Sequence, residues 1–155
     1  VTREPLPRES ILPVSFADLK DVIYRIDFPV GSSGLPILEV NRNLTEIEIR
    51  EIVKKDPIFR ALLFPAIVKE ILFQILFISR IYETEGEEWQ NKWLDYLVNV
   101  CGSEDLPEPY IKQDTGETEN FDEFTDWIND SAVPAFCKKF SLLESMRRGY
   151  GRTEE

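Results

Sequence analysis

Apolar residues along most of this chain recur at three- and four-residue spacings, the period of a helix that buries one face. In "SFADLKDVIYRID", Ser15 and Asp18 stand at N-cap and N3 spacing, and Phe16, Leu19, Val22, Ile23 and Ile26 fall on one side, predicting a helix near 16–26. Pro29, Gly31, Gly34 and Pro36 then interrupt helical order, and Leu35–Val40 reads as extended, with no partner strand that the pattern locates. Thr45 and Glu48 form a capping box for a helix ending at Lys54-Lys55, where the basic pair suits the negative end of the helix dipole. Its apolar face is Leu44, Ile47, Ile52 and Val53, and Asp56-Pro57 opens the next helix.

That next stretch, "DPIFRALLFPAIVKEILFQILFISRIYE", is the most apolar in the chain. A membrane helix wants about 20 predominantly apolar residues in a row. Here Lys69, Glu70 and Gln74 occupy the middle, Arg60 and Arg80 sit near the ends, and a charge at mid-bilayer costs about 2.5–3.5 kcal/mol. Lys69, Glu70, Gln74 and Arg80 cluster within roughly 140° of the helix circumference, so the expectation is a core helix with one wet stripe. Pro65 removes the N–H that would bond the Ala61 carbonyl, and Phe64 is a poor N-cap for a fresh start. A kinked, continuous helix over about 57–83 is preferred to a break at 63–65.

Downstream, Thr84 and Glu87 are expected to cap a helix reaching Cys101 and stopping at Gly102, with Trp89, Trp93, Tyr96, Leu97 and Val100 on its apolar side. "SEDLPEPYIKQDTGETE" (103–119) reads as a loop. A short helix from Thr118 or Asn120 carries Phe121, Phe124, Trp127 and Ile128, and Ser131 caps a last helix over 132–148, with Gly149 as its stop. Together these elements predict a single all-α domain of about six helices around the Pro65-containing one. An extended proline-bearing arm (1–14) precedes the helical domain (15–149), and a short polar tail (150–155) follows it.

Charge sharpens this picture. The net charge of −11 is concentrated in 83–130, where 15 acids face only Lys92 and Lys112; residues 1–82 are balanced. Such a segment disfavours direct contact with nucleic acid and suits a partner with a basic or amphipathic surface. No signal peptide pattern is visible, and Cys101 and Cys137, 36 positions apart without a CxxC, are expected as reduced thiols of a cytoplasmic (or nuclear) protein.

Candidate chemistry is sparse. The chain has no histidine, which removes imidazole catalysis and His ligation, and no glycine-rich phosphate loop. Glu119 with Asp122 and Glu123 with Asp126 are three apart and are weak candidates for holding Mg²⁺, although acids also belong in a helix's first turn. Trp89, Trp93 and Trp127 beside Glu117, Glu119, Asp122, Glu123 and Asp126 form the expected partner-contacting set; aromatics at helical spacing are more often core. The leading expectation is therefore a non-enzymatic protein-interaction or assembly module, able to self-associate and needing no cofactor or membrane. An acidic decoy of a nucleic-acid-binding protein and a Mg²⁺-dependent carboxylate hydrolase of nucleotides are the alternatives.

Overall fold

The computed structural model describes residues 11–30, 34–44 and 49–151. Among them are three strands, β1 (Val14–Ala17), β2 (Tyr24–Asp27) and β3 (Ile37–Asn41). Five helices follow: α1 (Ile49–Lys55), α2 (Pro57–Ser79), α3 (89–100), α4 (121–139) and α5 (Leu142–Gly151). The fold is thus a small mixed sheet packed with helices, which overturns the all-α expectation and the count of about six. Pro5 and Pro7, the Thr45–Glu48 capping box and residues 152–155 lie outside the described residues.

The correction centres on residues 14–41. Where a helix over 16–26 was expected, β1 and β2 run in opposite directions and leave a slot between them. β3 fills that slot, parallel to β1 and antiparallel to β2, in the order β1-β3-β2. Leu38 lies opposite both Val14 and Ile26, and Val40 opposite both Phe16 and Tyr24. Leu38, Val40 and Ile26 are buried, so the side-chain period of two carries this face into the core. Asp18 does not cap a helix; its Oδ1 accepts the Lys20 N–H at 3.1 Å, and Lys20 takes a left-handed φ of 60°. Asn41, at the end of β3, locks that turn by donating from Nδ2 to the carbonyls of Lys20 and Val22 at 2.8 and 2.9 Å.

The apolar run does form one helix. Asp56 accepts the Phe59 N–H at 2.9 Å, Pro57 occupies the first turn, and α2 passes through Pro65 without a break. Its last residues, Gln74–Ser79, widen into a π turn, and Arg80 in the left-handed region (φ 58°) ends it four residues short of the expected boundary. Ile67, Ile71, Leu72, Ile75 and Leu76 are fully buried. By length and composition α2 is long and apolar enough to cross a membrane; in this fold it is the helix on which α5 and the second half of α4 pack.

Two further π turns follow, and the second carries a helix through a point where a new start was expected. Tyr96–Val100 ends α3, with Cys101 N–H bonding the Tyr96 carbonyl at 2.9 Å before Gly102 (φ 86°) turns the chain. Ile128–Ala132 lies inside α4, so Ser131 does not start a new helix. The reversal comes at Ser141 (φ 52°), and α5 then runs past Gly149 to Gly151. Gly149 is placed for packing: a Cβ there would lie 3.0 Å from Ile58 Cγ1 and 3.2 Å from Pro57 Cγ. The Trp93 indole N–H donates to the Ile11 carbonyl at 3.2 Å and Phe28 stacks on Trp89, tying α3 to the strand-bearing segment.

Candidate functional site

Beyond Arg80 the chain leaves α2 in an extended path that is held rather than loose. The Tyr82 ring lies 4.9 Å from that of Phe124, and its hydroxyl is 2.8 Å from Thr118 Oγ1. Asn91 in the first turn of α3 clamps the segment from the other side. Its Nδ2 donates to the Glu83 carbonyl at 2.9 Å, and its Oδ1 accepts the Glu88 N–H at 3.3 Å as half of a capping box. Gly86 (φ 148°) is required by that clamp, because a Cβ would sit 2.3 Å from Asn91 Oδ1.

Loop 103–119 is pinned as tightly. Glu104 N–H donates to Ser131 Oγ at 2.8 Å, and the Trp127 indole N–H donates to the Glu104 carbonyl at 2.8 Å. Asn120 accepts the Tyr110 N–H at 2.9 Å and donates to the Glu108 carbonyl at 2.8 Å and to Glu123 Oε1 at 2.6 Å. The loop tip closes on an Ile111–Thr118 bridge, with Gly116 (φ 75°) in its turn. These bonds account for the polar groups of a loop that a hydrophobic core could not hold by itself.

Between the two pinned segments lies a groove of about 430 Å³. Tyr82, Val98 and Leu106 give it an apolar floor. Glu83 and Glu85 stand on one side, Asp105 and Glu108 on the other, and no lysine or arginine among the described residues lines it. A carboxylate can attract a cationic side chain by about 1 kcal/mol at 4 Å in water, and more where the walls exclude solvent. Four such groups around an apolar floor suit a side chain with a long apolar stem and a charged end, such as lysine or arginine.

The sequence-predicted residues fall elsewhere. Trp89, Trp93 and Trp127 are 2%, 1% and 5% exposed, so they build the core and offer no contact surface. Glu117, Glu119, Asp122, Glu123 and Asp126 are exposed. Glu119 lies 3.9 Å from Lys112 Nζ, and Asp122 and Glu123 occupy the first turn of α4, where acids favour the helix dipole. Among the described residues no three Asp, Glu, Cys or His side chains come together in a way that could hold a metal ion, the four weak candidates included. Sequence reasoning placed the groove's four acids inside the acidic segment without singling them out. The signal that could have done so is the pairing of Pro107 and Pro109 with flanking acids, which forces an extended, acid-bearing wall.

Cys101 and Cys137 are free thiols, each partly buried. Burial pushes both up; for Cys101 a hydrogen bond with Tyr96 and the charge of Lys139 offset part of the rise. A thiol held protonated is a poor nucleophile. No family model, no curated protein and no solved structure matches this chain.

Proposed function

We propose that this chain is a non-enzymatic protein-interaction module whose acidic groove receives a basic or amphipathic segment of a partner protein. The observation that supports it is the groove itself, lined by Glu83, Glu85, Asp105 and Glu108 together with Tyr82, Val98 and Leu106. Its walls are pre-organised by Asn91 and Asn120, so little loop ordering is needed on binding. Recognition of this kind gains fast, salt-sensitive association from the acids and its residence time from the apolar floor.

The test is capture from native lysate by the wild-type chain and by Glu83→Gln/Glu85→Gln/Asp105→Asn/Glu108→Gln, with Asp114→Asn/Glu117→Gln/Asp122→Asn/Asp126→Asn as a charge-matched control at exposed positions outside the groove. A partner retained by wild type and by the control, released by the groove variant and weakened by salt, supports the reading. Capture that the groove variant retains, or that the control loses equally, refutes it.

A further inference from the structure

The opposite charge is gathered at a second place. Where α1 ends and α2 begins, two adjoining cavities share Lys54 and Arg60 as their common wall. The first, about 300 Å³, is lined by apolar side chains of α1, α2, β1 and the residues just before β1, among them Leu12, Val14, Phe16, Val53 and Phe64. The second, about 420 Å³, is rimmed by Lys54, Lys55, Arg60 and Arg148, with the Ser145 hydroxyl one helical turn before Arg148 on α5. Among the described residues no acid lines either cavity, in a chain of net charge −11. The nearest carboxylate on the same helix, Glu51, is engaged with Lys55 at 2.8 Å.

The cations here are positioned. Arg60 Nη1 donates to the carbonyls of Val53 and Lys54 at 3.0 and 3.1 Å, and its guanidinium lies 5.1 Å from the Phe64 ring centroid. That arrangement satisfies the last carbonyls of α1 and fixes a positive charge at the junction of the two cavities. Arg50 sits 5.2 Å over the Phe16 ring, at the apolar end. A polar, cationic chamber thus adjoins an apolar one across Lys54 and Arg60, and together they lie in the size range of small-molecule sites.

We propose that the two cavities form one binding site for a small amphipathic anion: a phosphate monoester whose head lies among Lys54, Arg60 and Arg148, with its apolar body along Val14, Phe16 and Val53. A phosphate dianion matches several converging cations and a hydroxyl donor better than a single carboxylate does. Each buried methylene adds about a three- to fourfold gain in affinity, so the apolar chamber should be visible in binding as a preference for alkyl over inorganic phosphate.

The probes are hexyl phosphate, inorganic phosphate and hexanol, titrated into the full chain by calorimetry at about 50 mM salt, where surface electrostatics are little screened. Hexyl phosphate is expected to bind at least about tenfold more tightly than inorganic phosphate, with hexanol weaker than either. Arg148→Gln should weaken both phosphates by about tenfold, and Val14→Ser, which removes apolar surface without adding charge, should weaken hexyl phosphate while leaving inorganic phosphate within about twofold. Both positions are solvent-exposed, so the variants should keep the wild-type circular dichroism spectrum and melting curve. Equal affinity for the two phosphates, no saturable binding by wild type, or folded variants that bind as wild type does would each overturn the proposal. The acidic-groove variant should bind hexyl phosphate unchanged, which separates failure of this site from failure of the groove.

Discussion

Asn120→Ala is the most informative single change near the acidic groove. Asn120 precedes α4 at its N-cap position, where the usual role of an asparagine is to accept a backbone N–H of the first turn. Here it makes no such bond. Its amide instead faces back into the loop, holding Tyr110 N–H and the Glu108 carbonyl, while its contact with Glu123 Oε1 is partly open to solvent. Two part-buried backbone hydrogen bonds at about 1 kcal/mol each give a loss of about 2 kcal/mol, with little added by the Glu123 contact. For a chain of this length that is a fall in melting temperature of roughly 4–8 °C, matched by a shift of urea midpoint at unchanged slope. The discriminating variant is Asn120→Ser, which can supply a helix cap but cannot span the loop, and should recover at most the cap's contribution while staying well short of wild type. Asn120→Asp keeps the acceptor for Tyr110 and loses the donor to Glu108, setting a carboxylate against the Glu108 carbonyl and Glu123. Those neighbours would raise its folded-state pKa above that of the unfolded chain, so its deficit relative to wild type should grow as pH rises and shrink as pH falls. A loss below about 0.5 kcal/mol for alanine, or full rescue by serine, would refute the loop-clamp reasoning.

At Gly149 the contact with Ile58 sets the outcome: alanine gains up to about 1 kcal/mol of helix propensity against a tight approach and should be near neutral, whereas valine should cost about 1–3 kcal/mol by overpacking, read in urea melts; a valine variant as stable as wild type would contradict this. Trp93→Phe removes the indole N–H that holds the Ile11 carbonyl, and should cost about 1–2 kcal/mol and speed proteolytic cleavage near residues 11–13; unchanged cleavage would count against that tether. Because burial raises both thiols, the folded state keeps protons on Cys101 and Cys137 that the unfolded chain releases. That contribution to stability is full below the unfolded thiol pKa, about 8.5, and declines as pH rises past it. Iodoacetamide labelling at pH of about 7.5, followed by mass spectrometry, should accordingly be slower for the native than for the urea-unfolded chain; equal rates would show that neither thiol is protected.

What could be read from the chain and what could not divides along the range of the interactions involved. The helices over 57–79, 89–100 and from 121 onward repeat their apolar positions for three turns or more, and Gly102 marks its stop by backbone freedom alone. β1 and β2 are only four residues each. Over so short a span, Phe16, Leu19, Val22, Ile23 and Ile26 satisfy a helical period as readily as two strands and a turn. What decides between them is Asn41, whose side chain bonds Lys20 and Val22 from a strand about twenty residues away. The extended reading of Leu35–Val40 lacked a partner for that same reason, because its neighbours were disguised. Ser131 shows the converse: its residue type suits a cap, yet α4 runs through it by a π turn and its hydroxyl serves the distant Glu104 N–H. The acidic groove follows this rule too, since its acids are concentrated in one segment but face one another only after α3 and the 103–119 loop fold back.

The same reasoning explains why α2 is apolar on so much of its circumference. A helix covered from one side needs an apolar stripe, whereas one against which a sheet, α4 and α5 all pack needs several. One of the polar positions that remain is tied to the sheet. Glu70 accepts the Tyr24 hydroxyl at 3.3 Å, linking the helix to β2, and desolvation first and Glu70 second raise that tyrosine. Leu62 and Ile78, 63% and 68% exposed, are the large apolar residues left over, and they lie toward opposite ends of the helix rather than in one band. Transfer of α2 into lipid would carry Lys69 and Glu70 to mid-bilayer at about 2.5–3.5 kcal/mol each. It would also strip Ile67, Ile71, Leu72, Ile75 and Leu76 of their partners, and leave the inner faces of the sheet, α4 and α5 open to water at about 25 cal/mol per Å². The helix gains little in lipid that it lacks in this core, while the elements around it lose the surface that lets them fold. On that balance α2 is the central strut of the domain, and its apolarity is the imprint of three separate packing surfaces.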